Sequence, residues 1–132
     1  MMVKLSLDKF KIGKMYIYNM QIRHRSLRNY TTADGREPFR EWLMQMRDKK
    51  AQAIIAQRIE RLRLGNPGDF KRINKDLFEL RIHYGPGYRV YYTIFRDTVV
   101  ILLCGGSKRT QQQDIARAQN YCDDFLERTN GE

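Results

Sequence analysis

Between Leu77 and Arg109 the chain reads LFELRIHYGPGYRVYYTIFRDTVVILLCGGSKR, and no other stretch restricts the fold as strongly. Its three runs are rich in β-branched and aromatic residues and are divided by Gly85-Pro86-Gly87 and Arg96-Asp97, so they predict a three-stranded antiparallel meander. Side chains alternate along a strand, which places Glu79, Arg81 and His83 on one face of the first run. Arg89 and Tyr91 share a face of the second. Ser107-Lys108-Arg109 follow a Gly105-Gly106 break just past the third.

The chain has 132 residues, the size of one domain with a single core. Lys and Arg number 25 against 15 Asp and Glu, a net charge of +10 that points to a polyanionic partner, most often nucleic acid. Arg recurs inside the strand pattern as well as on helix surfaces, which strengthens that reading. No apolar run approaches the roughly 18 residues of a membrane span. The N-terminus lacks the apolar block and cleavage site of a secretory signal, so a cytoplasmic protein is expected, with no membrane partner. The two cysteines, Cys104 and Cys122, sit in apolar patterns and read as buried small hydrophobes. His24 and His83 have no metal-ligand spacing with either, so no metal or cofactor is expected.

Residues 1–19 form a mixed segment with weak alternation at Lys4 to Leu7 and at Met15 to Tyr18, read as an extension of uncertain role. Gln21 to Thr32 suggests a strand, and Thr31 to Gly35 a turn. Pro38 suits a first helical position, with Phe39, Trp42, Leu43 and Met46 forming one apolar stripe. Asp48 can cap a second helix from Lys49 to Leu64, with Ile55, Ile59 and Leu62 facing the core and Gln57, Arg58, Glu60, Arg61 and Arg63 facing solvent. Gly65 stops it. Asp69 to Asp76 reads as a polar loop whose Lys71, Arg72 and Lys75 are candidate phosphate contacts. Thr110 can cap a last helix carrying Ile115, Ala118, Cys122 and Phe125, and the tail from Arg128 is expected to fray.

Signatures of nucleotide loops, nucleophile elbows and zinc-binding histidine pairs are missing. Gly85-Pro86-Gly87 joins two strands and is a hairpin turn. What remains is guanidinium groups on a sheet, with a carboxylate, an imidazole and phenols nearby. Metal-free RNA cleavage needs a base for the ribose 2′-hydroxyl, cations for the phosphorane and a donor to the leaving 5′-oxygen. Arg suits the second task, because its planar fork matches phosphate oxygens. Glu79 or His83 suits the first, and Tyr91 or an Arg the third. Glu79 and Arg81 equally fit a surface ion pair.

Asp34-Gly35-Arg36-Glu37-Pro38-Phe39, Glu79-Leu80-Arg81, Gly85 through Tyr92, and Gly105-Gly106-Ser107-Lys108 through Gln112, Asp114 and Ile115 together resemble the addiction-module killer proteins. These are HigB-like, phage Gp49-related toxins of the RelE/ParE superfamily, and the resemblance covers about residues 20 to 128. It implies an α+β fold: a small, mainly antiparallel four-stranded sheet flanked by an N-terminal helical hairpin and a C-terminal helix. It also implies a toxin restrained by a cognate antitoxin, with RNase members cleaving messenger RNA on the ribosome. Arg89 falls where RelE-type toxins keep an arginine at the scissile phosphate, and Arg109 where they keep a second basic residue. Arg81 lies on the strand that carries their catalytic lysines, while Glu79 stands where RelE has a lysine. Ile115 falls at about the place of their helix phenol, which leaves the general base open among Glu79, His83 and Tyr91. Lys108 joins the expected phosphate contacts.

The expected function is therefore a type II toxin acting as a metal-independent, ribosome-dependent mRNA endoribonuclease that inhibits translation. The alternatives are a ParE-like gyrase inhibitor without enzymatic activity and a non-toxic RNA-binding module.

Overall fold

The computed structural model describes residues 7–12, 15–20 and 24–130, with side chains from residue 24 onward. Helix α1 (Pro38–Gln45) starts on a proline, whose missing N–H would have no partner in a first turn anyway. Helix α2 (Lys49–Arg63) is capped by Asp48, whose carboxylate accepts the Ala51 N–H at 3.0 Å. Gly65 ends it at φ 90°, a left-handed conformation that suits glycine. Phe39, Ile55, Ile59 and Leu62 are buried in one hydrophobic cluster, and Trp42, Leu43 and Met46 pack against it. The apolar stripes of both helices thus face the same core, as their spacing predicts.

Strands β1 (Leu7–Ile12) and β2 (Met15–Met20) pair antiparallel in a sheet of their own, so the alternation from Met15 to Tyr18 belongs to a hairpin. The main sheet contains β3 (Ser26–Asn29), β4 (Phe70–Arg72), β5 (Phe78–Ile82), β6 (Tyr88–Phe95) and β7 (Val99–Ser107), in the order β3-β7-β6-β5-β4. The expected meander is β5-β6-β7, antiparallel throughout. Arg96 and Asp97, at φ 51° and 60°, make its second turn with the left-handed pair that matches strand twist.

The sheet has five strands and is mixed, where four mainly antiparallel strands are expected from sequence. β3 lies parallel to β7, because the intervening helices and strands carry the chain back to the same end. The extra strand is β4, inside the segment 69–76 that reads as a polar loop. Its three exposed residues are too few to show an alternating pattern. The first strand is shorter than Gln21 to Thr32: it ends at Asn29, and residues 21–23 lie outside the described residues. The expected fraying from Arg128 is not found through Asn130, because Arg128 donates to the Thr31 carbonyl at 2.5 Å and pairs with Asp124 at 2.7 Å.

Helix α3 (Gln111–Asn130) covers the other face of the sheet, packing Ala118 and Cys122 against Tyr30, Leu77, Tyr91, Ile101, Leu103 and Cys104. Both cysteines are buried and unpaired. The sheet is therefore the middle layer, with α1 and α2 on one side and α3 on the other. The end of β7 shows why two glycines stand there. A Cβ on Gly105 would lie 2.3 Å from the Trp42 ring, and one on Gly106 would lie 1.8 Å from Asp114 Oδ2. Only hydrogen at both positions lets α1 and α3 close on the strand from opposite faces.

Candidate active site

The register of the meander builds the site. Glu79 pairs across β5 and β6 with Tyr91, and Arg81 with Arg89, while Arg89 lies opposite Gly106 on β7. Strand alternation puts all four side chains on the α3 side, next to the helix start. Glu79 has no exposed surface. Its Oε1 accepts from Arg81 Nε at 2.9 Å, and its Oε2 accepts from the Tyr91 hydroxyl at 3.0 Å and from Gln111 Nε2 at 2.8 Å. Burial alone would push this carboxyl up, but the hydrogen bonds from Arg81, Gln111 and Tyr91 outweigh it and hold the group below its ordinary 4.5. Burial, and then the Glu79 charge, push the Tyr91 phenol far up. The pair therefore stays as carboxylate and protonated phenol.

Arg89 is 7% exposed, close to fully buried for a charged side chain. Its Nη1 donates to the Tyr88 carbonyl at 3.2 Å. Its Nε lies 3.9 Å from Glu79 Oε1 and has no hydrogen-bond partner among the described residues. Gly87, at φ 81°, brings the turn close to this guanidinium: a Cβ there would sit 3.6 Å from Arg89 Nη1 and 3.6 Å from Lys108 Cβ. The Gly87 carbonyl accepts the Lys108 N–H at 2.7 Å, so the β5-β6 turn and the junction after β7 hold each other. Lys108 and Arg109 are exposed on a single 3-10 turn, Lys108–Thr110, closed by reciprocal Ser107 and Thr110 capping. They line a groove of about 600 Å³ together with Thr110 and Gln111 to Gln113. Thr110 also donates to Asp114 at 2.5 Å, which ties that turn to a buried carboxylate in the first turn of α3.

The remaining candidates are spread more widely. His83 is exposed just past β5, its Nε2 against Asp69 Oδ2, and outside the hydrogen bonds around Glu79. That imidazole holds the Asp69 carboxyl below its usual range. Lys71 is exposed on β4, paired in register with Glu79. Arg72 folds back on its own loop, donating to the Asn74 and Lys75 carbonyls at 3.1 and 2.8 Å and lying 5.5 Å from the Phe78 ring. Lys75 is exposed in that loop. Among the described residues no group of three or more His, Cys, Asp or Glu gathers as metal ligands, and no helix is long and apolar enough to cross a membrane.

Two participants were hidden from sequence reasoning. Gln111 caps Glu79 from the first position of α3; the only cue is its place directly after the Ser107 to Thr110 junction. Arg58, expected to face solvent, instead donates to the carbonyls of Arg81 at 2.6 Å, Pro67 at 2.8 Å and Asp69 at 3.2 Å. It fixes the Arg81 end of β5 to the loop before β4. Its helical position looks no different from that of Arg61, because loop carbonyls leave no mark in sequence.

With a helical hairpin and a long helix on opposite faces of a five-stranded mixed sheet, and an arginine cluster around a buried carboxylate, the chain is a small basic α+β domain. It belongs to the family described as "Phage derived protein Gp49-like (DUF891)", whose pattern matches residues 41–121 and so spans every candidate site residue above. It is also similar to an uncharacterised protein of Haemophilus influenzae (strain ATCC 51907 / DSM 11121 / KW20 / Rd), 49% identical over 81 residues that make up 61% of this chain and 82% of that protein.

Proposed function

We propose that this protein is the toxin of a type II toxin-antitoxin module, HigB-like within the RelE/ParE superfamily, and that it cleaves messenger RNA on the ribosome without a metal ion. Membership of the Gp49-like family supports the toxin reading. The observation that carries the chemistry is Arg89: an almost wholly buried guanidinium, directly across from Arg81, with an Nε that no acceptor among the described residues takes up. A side chain so costly to bury is kept where a charged ligand completes its hydrogen bonds.

In this reading Arg89 and Arg81 take the scissile phosphate and stabilise the charge that builds on the phosphorane. Glu79 holds both arginines in place and is held ionised in return, while Tyr91 and Gln111 fill its second oxygen. Arg109 and Lys108 guide the flanking backbone along the groove after β7, and Lys71 extends the track over β4; Arg72 and Lys75 lie at its margin. His83, exposed and paired with Asp69, is the candidate for moving the 2′-hydroxyl proton, since Glu79 and Tyr91 are sequestered from solvent. The domain over residues 20–128 carries the activity in the cytoplasm, an antitoxin restrains it, and the net charge of +10 favours an acidic one.

Induced expression followed by mapping of messenger 5′ ends tests the reading. New 5′ ends within translated messages, with translation shut down, are expected. Intact messages together with loss of gyrase supercoiling would assign the protein to the gyrase-inhibiting branch instead.

A further inference from the structure

Among the described residues β3 is an edge strand, paired only with β7. The Ser26 N–H donates to the Thr98 carbonyl and the Tyr30 N–H to the Leu102 carbonyl, both at 3.0 Å, so the even-numbered residues bond toward β7. Backbone groups alternate in direction along a strand, which turns the N–H and C=O of Leu27 and Asn29 outward. The Arg25 N–H fits this phase, since it bonds away from β7 to the Arg63 carbonyl at 2.9 Å. Among the described residues no strand lies beyond this edge.

The two sides of the edge differ in chemistry. Toward α1 and α2, Leu27, Phe39, Leu43, Ile59 and Leu102 line an apolar groove of about 310 Å³. Toward α3, Arg28, Arg96 and Arg128 line a groove of about 520 Å³ with Phe95 and Phe125. Arg128 is engaged by Asp124, but Arg28 and Arg96 are exposed and have no carboxylate partner among the described residues. A strand laid on this edge sends successive side chains to opposite faces. Apolar residues would enter one groove, and acidic residues would meet Arg28 and Arg96.

We propose that the β3 edge docks an extended segment of a protein partner in which apolar and acidic residues alternate. Nucleic acid fits the edge poorly, because its backbone cannot extend the strand ladder or fill the apolar groove. A second copy of this chain would bring like charges together at Arg28 and Arg96. β3 pairs with Val99 to Leu102, at the opposite end of β7 from Gly106 and Arg89, so a docked segment leaves the arginine site uncovered. The proposal therefore does not depend on RNA cleavage.

The test is titration of the full chain with a short end-blocked peptide alternating valine and glutamate, and with its lysine counterpart, followed by amide NMR. The glutamate peptide is expected to shift the Leu27 and Asn29 amides and to bind at least about tenfold tighter than the lysine peptide. Asn29→Pro removes an outward N–H and leaves the β7 ladder intact, so it should weaken binding about tenfold with circular dichroism unchanged. Arg28→Glu, which spares the backbone, should reverse the preference between the peptides. Equal binding of the two peptides, a preference unmoved by Arg28→Glu, or shifts centred on Arg81 and Arg89 would overturn the proposal. So would a dimer that Asn29→Pro dissociates, since the edge would then join copies of this chain.

Discussion

The two faces of the central sheet are built on different terms. On the side of α1 and α2, the buried cluster is entirely hydrophobic apart from the hydroxyl of Tyr92. The buried polar or charged residues among those described, Glu79, Arg89, Thr93 and Asp114, all belong to the α3 side. One sheet thus separates the burial that stabilises the domain from the charge that would act on a ligand. Polar groups buried without purpose are expensive, so their segregation onto one face supports the proposal that this face is the working one.

This contrast is open to direct attack. The largest expected effect is on the polar face: Arg89→Ala should lower toxic activity by about 10²–10³-fold while thermal unfolding stays cooperative. Unchanged growth inhibition in that variant would remove Arg89 from the site. Next comes the apolar face, where Ile55, with no exposed surface, should cost about 2–5 kcal/mol as Ile55→Ala in urea unfolding. Specific activity of its folded fraction should stay near that of the parent. A matching loss of activity would mean that the faces are not separable.

Glu79→Gln sits between these cases. It keeps the shape and the Tyr91 contact but leaves Arg89 beside a neutral amide, and the expected cost is about 2 kcal/mol of stability together with lower activity. The smallest effect concerns pH. The folded Glu79 carboxyl titrates below its ordinary 4.5, so its contribution is complete above that value and fades as pH falls through the lower folded one. Below pH 4.5 the parent should therefore lose urea stability faster than Glu79→Gln does. Parallel curves for the two proteins would show that Glu79 is not held ionised by its arginines.

The apolar face was the more legible in sequence. Phe39, Trp42, Leu43, Ile55, Ile59 and Leu62 recur at helical spacing, and the meander from Leu77 to Arg109 announces its own turns. β4 and the parallel pairing of β3 were not legible, because a three-residue polar strand has no period and direction depends on distant chain. In the site, alternation correctly grouped Glu79 with Arg81 and Arg89 with Tyr91, since a shared strand face follows from numbering alone. That Glu79 is saturated, and that Arg58 grips the carbonyl of Arg81, depend on atoms brought together across the fold. His83 shows the limit of alternation: it has the parity of Glu79 and Arg81, yet lies past the end of β5 and turns to Asp69.

The central claim, that the arginine cluster on the α3 side acts on RNA, is tested most directly by adding purified protein to ribosomes carrying a defined message and mapping 5′ ends by primer extension. The parent and the folded fraction of Ile55→Ala should produce the same new ends, and Arg89→Ala should produce them at a rate lower by about 10²–10³-fold. Cleavage by Arg89→Ala at the parental rate, or an intact message with the parent, would contradict the account.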